Sequence, residues 1–307
     1  MTISEGVLSV GDEAFSGCTS LYEVSLPCSV TNIGSLAFEQ CNNIQALTIP
    51  QYLCSSGRFY MLFPNHRITD LIVREGVADI GEDAFSYCFD QLHSSVRVTF
   101  PTTLTNIGAN AFRGCAGLEN LDFSDGVVSI GENAFYGCAG LDSVTLPRSV
   151  ADIGCGAFSE CIGLRRLTLS DSLTEIRGSV FSDCSSLSWV SIPSGVTNIG
   201  EQAFSDCGSL RFLELPGNLA AIGPSAFSRC WALESLCLPP GLESIGSRAF
   251  FDCGGLESVE IPSSVVSVGE GASEYCSRLG SVSIPQCLCL SGFASVFPSC
   301  TSTNLVI

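Results

Sequence analysis

The chain has 307 residues, 46% apolar and 14% charged, with 31 acidic against 13 basic side chains and a net charge of −18. That balance makes phosphate backbones poor partners and excludes nucleic acid, while the apolar content and 19 Phe supply a core and exclude disorder. No run of 18 apolar residues occurs, so no membrane insertion is expected, and no signal peptide is visible after Met1.

Length alone would predict about two domains. An internal repeat overrides it. From Leu141 to Gly163 the chain reads LDSVTLPRSVADIGCGAFSECIG, and copies begin at Leu164, Leu187, Leu210, Leu233, Leu256 and Leu279, each 23 residues on. Earlier copies begin at Leu118 and Ser95. A fixed period of this length predicts a solenoid, which grows by rungs and not by adding cores.

In chain order, Met1 to Ser20 is the back part of a copy, followed by a full copy from Leu21 to Asn43. The next, Ile44 to Arg67, begins IQALTIP and then departs into QYLCSSGRFYMLFPNHR. Ile68 to Asp90 returns to the pattern with Arg74 where Pro is usual, and the extra residues Gln91 to Ser94 read as a loop between rungs. From Ser95 the register holds to Arg278; the copy after it departs as the third did, IPQCLCLSGFASVFP resembling IPQYLCSSGRFYMLFP. Residues 1–307 are thus expected to be one array of about twelve full repeats with a partial one at each end. Neither end resembles a polar cap, which predicts a segment of a longer protein.

Within a rung, Val144 and Leu146 alternate with Ser143 and Thr145, the period-two signature of a strand with one buried face. Pro147 ends it, because proline cannot donate into a ladder. A coil is expected next, with Val150 and Ile153 inward and Gly154 allowing a tight backbone; Arg177 at the equivalent position shows that a positive φ is not required there. Ala-Phe follows. Phe15, Phe38, Phe85, Phe112, Phe135, Phe158, Phe181, Phe204, Phe227 and Phe250 are expected to stack as a spine, with Ser273 leaving a weak rung. The acids after the Ile-Gly pair (Asp12, Glu13, Glu82, Asp83, Glu132, Glu201, Glu270) read as a solubilising face. Each rung offers one such strand, and neighbouring strands lie parallel at about 4.8 Å, for an array roughly 60 Å long.

Of 18 cysteines, most recur three residues after the Phe position, from Cys18 to Cys300. One per rung predicts a reduced, buried internal ladder. The off-register Cys28, Cys54, Cys155, Cys237, Cys287 and Cys289 are expected to be exposed. No C-x-x-C pair occurs, and the only histidines, His66 and His93, are near no cysteine pair, so neither a metal nor any other cofactor is expected. Both histidines fall in irregular stretches and read as surface; no nucleophile elbow or phosphate loop accompanies them, and the chain is read as no enzyme.

The pattern LxxIxIPxSVxxIGxxAFxxC, fullest in SLSWVSIPSGVTNIGEQAFSDC from Ser186 to Cys207, closely resembles the BspA-like leucine-rich repeat family. The resemblance implies a leucine-rich repeat solenoid of the β-rich α/β class, a right-handed superhelix with one parallel β-sheet on the concave side. It implies a cell-surface or secreted protein that adheres to a protein partner, of the extracellular matrix or of a host or cell surface. It carries over no site residue.

Strand positions three and five face away from the core and form mostly a lawn of small hydroxyls. Arg166, Trp189 and Phe212 interrupt it on three successive rungs, with Glu214 alongside. Aromatics beside an arginine have the composition of an interface hot spot, against the plainer reading of two surface rings that cover each other. The expected function is non-enzymatic binding through this face in cell adhesion. An intracellular scaffold and a structural spacer in a surface stalk are the alternatives.

Overall fold

The structure, a computed structural model, describes residues 1–55, 57–64, 66–89, 95–284 and the backbone of 305–306. The extra residues Gln91 to Ser94, with His93, and the second variant stretch with Cys287, Cys289 and Cys300 lie outside the described residues. The chain is a parallel β-solenoid, and every strand pair in it is parallel. The predicted strands form at the predicted residues, for example Ser143–Thr145, Arg166–Thr168, Trp189–Ser191 and Phe212–Glu214. Their middle residues, such as Val144 and Val190, are buried while the flanking ones face solvent. At the far end Leu305 and Val306 pair with Val282 and Ser283.

One strand per rung is too few. The stretch expected as coil holds a second line of two-residue strands, among them Asn106–Ile107, Ser129–Ile130 and Asp152–Ile153, paired in register with the same residues of the next rung. The Ile turns inward and its partner outward, so even two residues satisfy one face and one hydrogen-bonding edge.

The strand sheet is also not continuous. Five strands run from Glu23–Ser25 to Leu118–Asp122, and the ladder is then interrupted before Ser143, before Trp189 and before Ser235. A three-residue strand offers few bonds, so a small rotation between rungs opens them. The turn side carries the stack across these steps. Asn133, Phe135 and Gly137 donate their N–H groups to Cys155, Ala157 and Ser159 of the next rung at 2.8–3.0 Å, and the bond from each Phe N–H to the residue before the next rung's Phe position repeats from Phe85 to Ala272.

The turn itself is held by two left-handed residues per rung, two before and two after the Phe, such as Asn133 (φ 52) and Gly137 (φ 70), or Gln202 (φ 55) and Asp206 (φ 60). The Ile-Gly glycine has no positive φ, as Arg177 foretold. Its constraint is proximity: a Cβ on Gly154 would sit 2.4 Å from the backbone N of Glu132 one rung earlier, and one on Gly200 2.7 Å from that of Gly178. Arg177 carries a Cβ at this place, and here, between Asp152–Ile153 and Glu175–Ile176, the short-strand ladder is broken. The Arg177 guanidinium spans the gap to Asp152 at 2.9 Å.

The phenylalanines form the expected spine, ring centroids 5.1–5.7 Å apart from Phe85 to Phe250. The irregular rung fills the gap with two short helices, Gln51–Ser55 and Phe59–Leu62. Phe63 stacks on Phe38 at 4.9 Å, and Phe59 meets Phe85 edge-on at 5.3 Å. Cys54, expected to be exposed, is buried because the first helix turns it and Leu53 into the core. Cys28, Cys155 and Cys237 are exposed as expected, whereas the in-register Cys18, expected to be buried, is exposed in the first, incomplete rung. The remaining in-register cysteines that are described are buried. Ser273 is buried in the Phe position with its hydroxyl unpartnered.

Candidate protein-interaction site

The acids after the Ile-Gly pair are exposed at every predicted position, along the turn side. The distinctive chemistry lies on the strand face. Trp189 and Phe212 open adjacent strands and pair in register, as do Ser191 and Glu214 behind them. The core residues Val190 and Leu213 between them lock that register, since a one-residue slip would bury the rings and expose the aliphatics. Trp189 is 45% exposed and Phe212 60%, so both rings keep a large part of their surface open to solvent.

Beside the pair is an open depression of about 590 Å3 whose apolar wall is Trp189, Phe212, Gly208 and Ala232. Its polar wall is Ser186, Ser188 and Ser209, and its charges are Arg165 and Arg211. Arg166 occupies the strand before Trp189 and is exposed, and Glu214 lies two residues beyond Phe212; neither lines the depression. The sequence pattern therefore places the two rings together and puts Arg166 and Glu214 at the margin.

Arg165 and Arg211 sit at strand position two, immediately before the outward position three, a column the alternation rule does not count. Arg165 is held by Asp142 at 2.6 Å. Trp231 is a further residue outside the predicted set. Its indole packs over Gly208, where any Cβ would meet the ring at 2.6 Å, and its Nε1 donates to Asp252 at 3.1 Å. It is 50% exposed and stands directly before Ala232 of the apolar wall.

His66 is not a free surface side chain. Its Nδ1 accepts the Ile68 N–H at 3.3 Å and its Nε2 lies 3.0 Å from the Cys88 carbonyl, with the ring against Phe59 and Phe89. Among the described residues no group of three or more His, Cys, Asp or Glu is placed to hold a metal ion, and no helix is long and apolar enough to cross a membrane. What the strand face offers is shape, aromatic area and guanidinium donors.

A search of curated proteins found no match to the chain. Among solved structures, it is similar to a leucine-rich repeat protein from Bacteroides ovatus, with 27% identity, a TM-score of 0.53 and coverage of 96% of this chain and 86% of that one. A leucine-rich cell surface protein from Faecalibacterium prausnitzii is 25% identical with a TM-score of 0.50, covering 96% and 89%. A leucine-rich repeat protein from Eubacterium ventriosum shares the fold at 20% identity and a TM-score of 0.51, covering 85% and 84%. The model of the BspA type leucine rich repeat region matches in six copies over residues 1–115, 86–211 and 197–307. With the whole length so matched and the rungs stacked as that repeat requires, this chain belongs to the BspA-type leucine-rich repeat family.

Proposed function

We propose that this chain is a non-enzymatic protein-binding module that acts in adhesion at a cell surface, engaging an extracellular-matrix or host-surface protein through its strand face. The observation that carries the reading is the in-register pair Trp189 and Phe212, both exposed beside an open depression. Trp and Arg are the residues that dominate binding energy at interfaces, and large rings left in water gain most from a partner's surface. Arg166 and Glu214 border the pair and complete the contact area. Leucine-rich repeats are generally protein-interaction modules, and the likeness to a bacterial cell surface protein supports the location.

A binding screen of this chain against matrix and host-surface proteins, run beside a Trp189→Ala/Phe212→Ala double variant whose circular dichroism matches the parent, tests it. Binding by the parent and loss in the variant is the expected result. Equal binding by both removes the rings from the site, and binding by neither leaves the spacer and intracellular-scaffold readings in front.

A further inference from the structure

The depression differs from the rest of the molecule in charge. The chain carries −18 overall, yet the two ionisable residues lining this depression are Arg165 and Arg211, with no carboxylate. Two other depressions contain acids: Asp70 and Glu119 beside Arg97 in one, Glu201, Glu270 and Glu274 around Arg248 in the other. Arg211 makes no ion pair among the described residues, whereas Arg165 is engaged with Asp142. An unpaired guanidinium next to two exposed rings is a fork of donors shaped for a carboxylate.

Resting on the protein-binding reading above, we propose that the depression takes an acidic peptide segment of the partner, with an apolar side chain against Trp189 and Phe212 and a neighbouring Asp or Glu carboxylate on Arg211. The overall negative charge does not forbid this. Exposed charges beyond about 8 Å are screened at physiological salt, while a carboxylate in contact with Arg211 is not. Glu214, two residues past Phe212 and so on the far side of the rings from Arg211, stands outside the lining and repels acid there. The acid of the segment is thereby confined to the Arg211 side of the rings, which gives the bound segment one direction.

Short random peptides displayed on phage, selected on the full chain and counter-selected on the Trp189→Ala/Phe212→Ala variant, provide the test. Expected are peptides enriched in Asp or Glu close to an aromatic or aliphatic residue. A synthetic copy of one should lose about tenfold in affinity on Arg211→Gln, the usual size of a charged hydrogen bond. It should recover part of that on Arg211→Lys and weaken as salt is raised. Ring-dependent peptides without excess acid overturn the charge assignment and leave the protein-binding reading standing. Peptides recovered only when the counter-selection is omitted, binding the double variant as well as the parent, overturn both. No recovered peptide, or retention of a sulfated or sialylated glycan in place of peptides, overturns the acidic-peptide assignment.

Discussion

The Sγ of Cys138 donates to the backbone carbonyl of Phe112, one rung earlier, at 3.2 Å, and the same carbonyl accepts the N–H of Cys115. The arrangement recurs at Cys161, Cys184, Cys207, Cys230, Cys253 and Cys276, each donating to the preceding rung's Phe carbonyl at 3.1–3.3 Å. The thiol therefore both fills volume and uses the carbonyl's second lone pair. Cys207→Ala should cost about 1–2 kcal/mol, and Cys207→Ser should cost less because a hydroxyl can donate to the same oxygen. Urea unfolding measures both; a serine variant no better than alanine would show that volume alone decides the position.

The same burial governs titration. Desolvation pushes the thiols of Cys54 and Cys161 from 9.0 up to about 12. Between those values the folded state keeps a proton that the unfolded chain gives up, so the stabilisation is complete below pH 9.0 and is lost as pH rises towards about 12. The expected slope is on the order of 1 kcal/mol per pH unit for each such thiol. Urea midpoints followed upward from pH 9.0 check this, and a flat profile would refute the burial of these groups. At neutral pH a thiol-specific dye should label Cys28, Cys155 and Cys237 and leave Cys161 untouched until the chain unfolds.

Two backbone positions in each turn region should respond oppositely to substitution. Gly154→Ala drives a Cβ into the preceding rung's backbone and should cost about 1–3 kcal/mol, the price of overpacking. Gln202→Gly relieves an exposed left-handed residue and should be neutral or stabilising by up to about 1 kcal/mol. Thermal unfolding of the two variants separates the proximity constraint from the conformational one; equal losses would mean that the turn tolerates no change at either site.

The spine gives a third contrast. Phe158 stacks at 5.2 Å on Phe135 and 5.7 Å on Phe181, so Phe158→Ala should cost about 3–5 kcal/mol. Ser273→Ala removes a buried, unpartnered hydroxyl and should stabilise by about 1 kcal/mol. Denaturant midpoints check the signs, and a destabilised Ser273→Ala would reveal a hydrogen bond at that hydroxyl.

Most of the rung was legible because its signals are periodic: Val144 between two hydroxyl residues, Phe158 and Cys161 at a fixed spacing, Trp189 and Phe212 at the same strand position. The failures share a cause. Asp152–Ile153 is a strand too short to show any alternation. Phe59 and Phe63 serve the spine from positions outside the 23-residue register, and the helices that bring them there also bury Cys54. Arg211 reaches the depression from a column that alternation ignores, although the run Asp142, Arg165, Ser188, Arg211 at that position is visible once the register is set. For Gly154 the reason lies in another rung, which no local pattern contains.

The interrupted strand ladder has a mechanical consequence. Between Thr168 and Trp189, and again between Glu214 and Ser235, the strand face has no ladder bonds, while Phe181 to Ala203 and Phe227 to Ala249 stay bonded on the turn side. Flexing the array therefore hinges on the turn side and splays the strand face, and the two gaps fall on either side of the Trp189–Phe212 strand pair. That pair moves as a rigid plate between two compliant seams. A ligand confined to the plate leaves the curvature free, whereas one that reaches from Trp189 across to Arg166 spans a seam and stiffens the array.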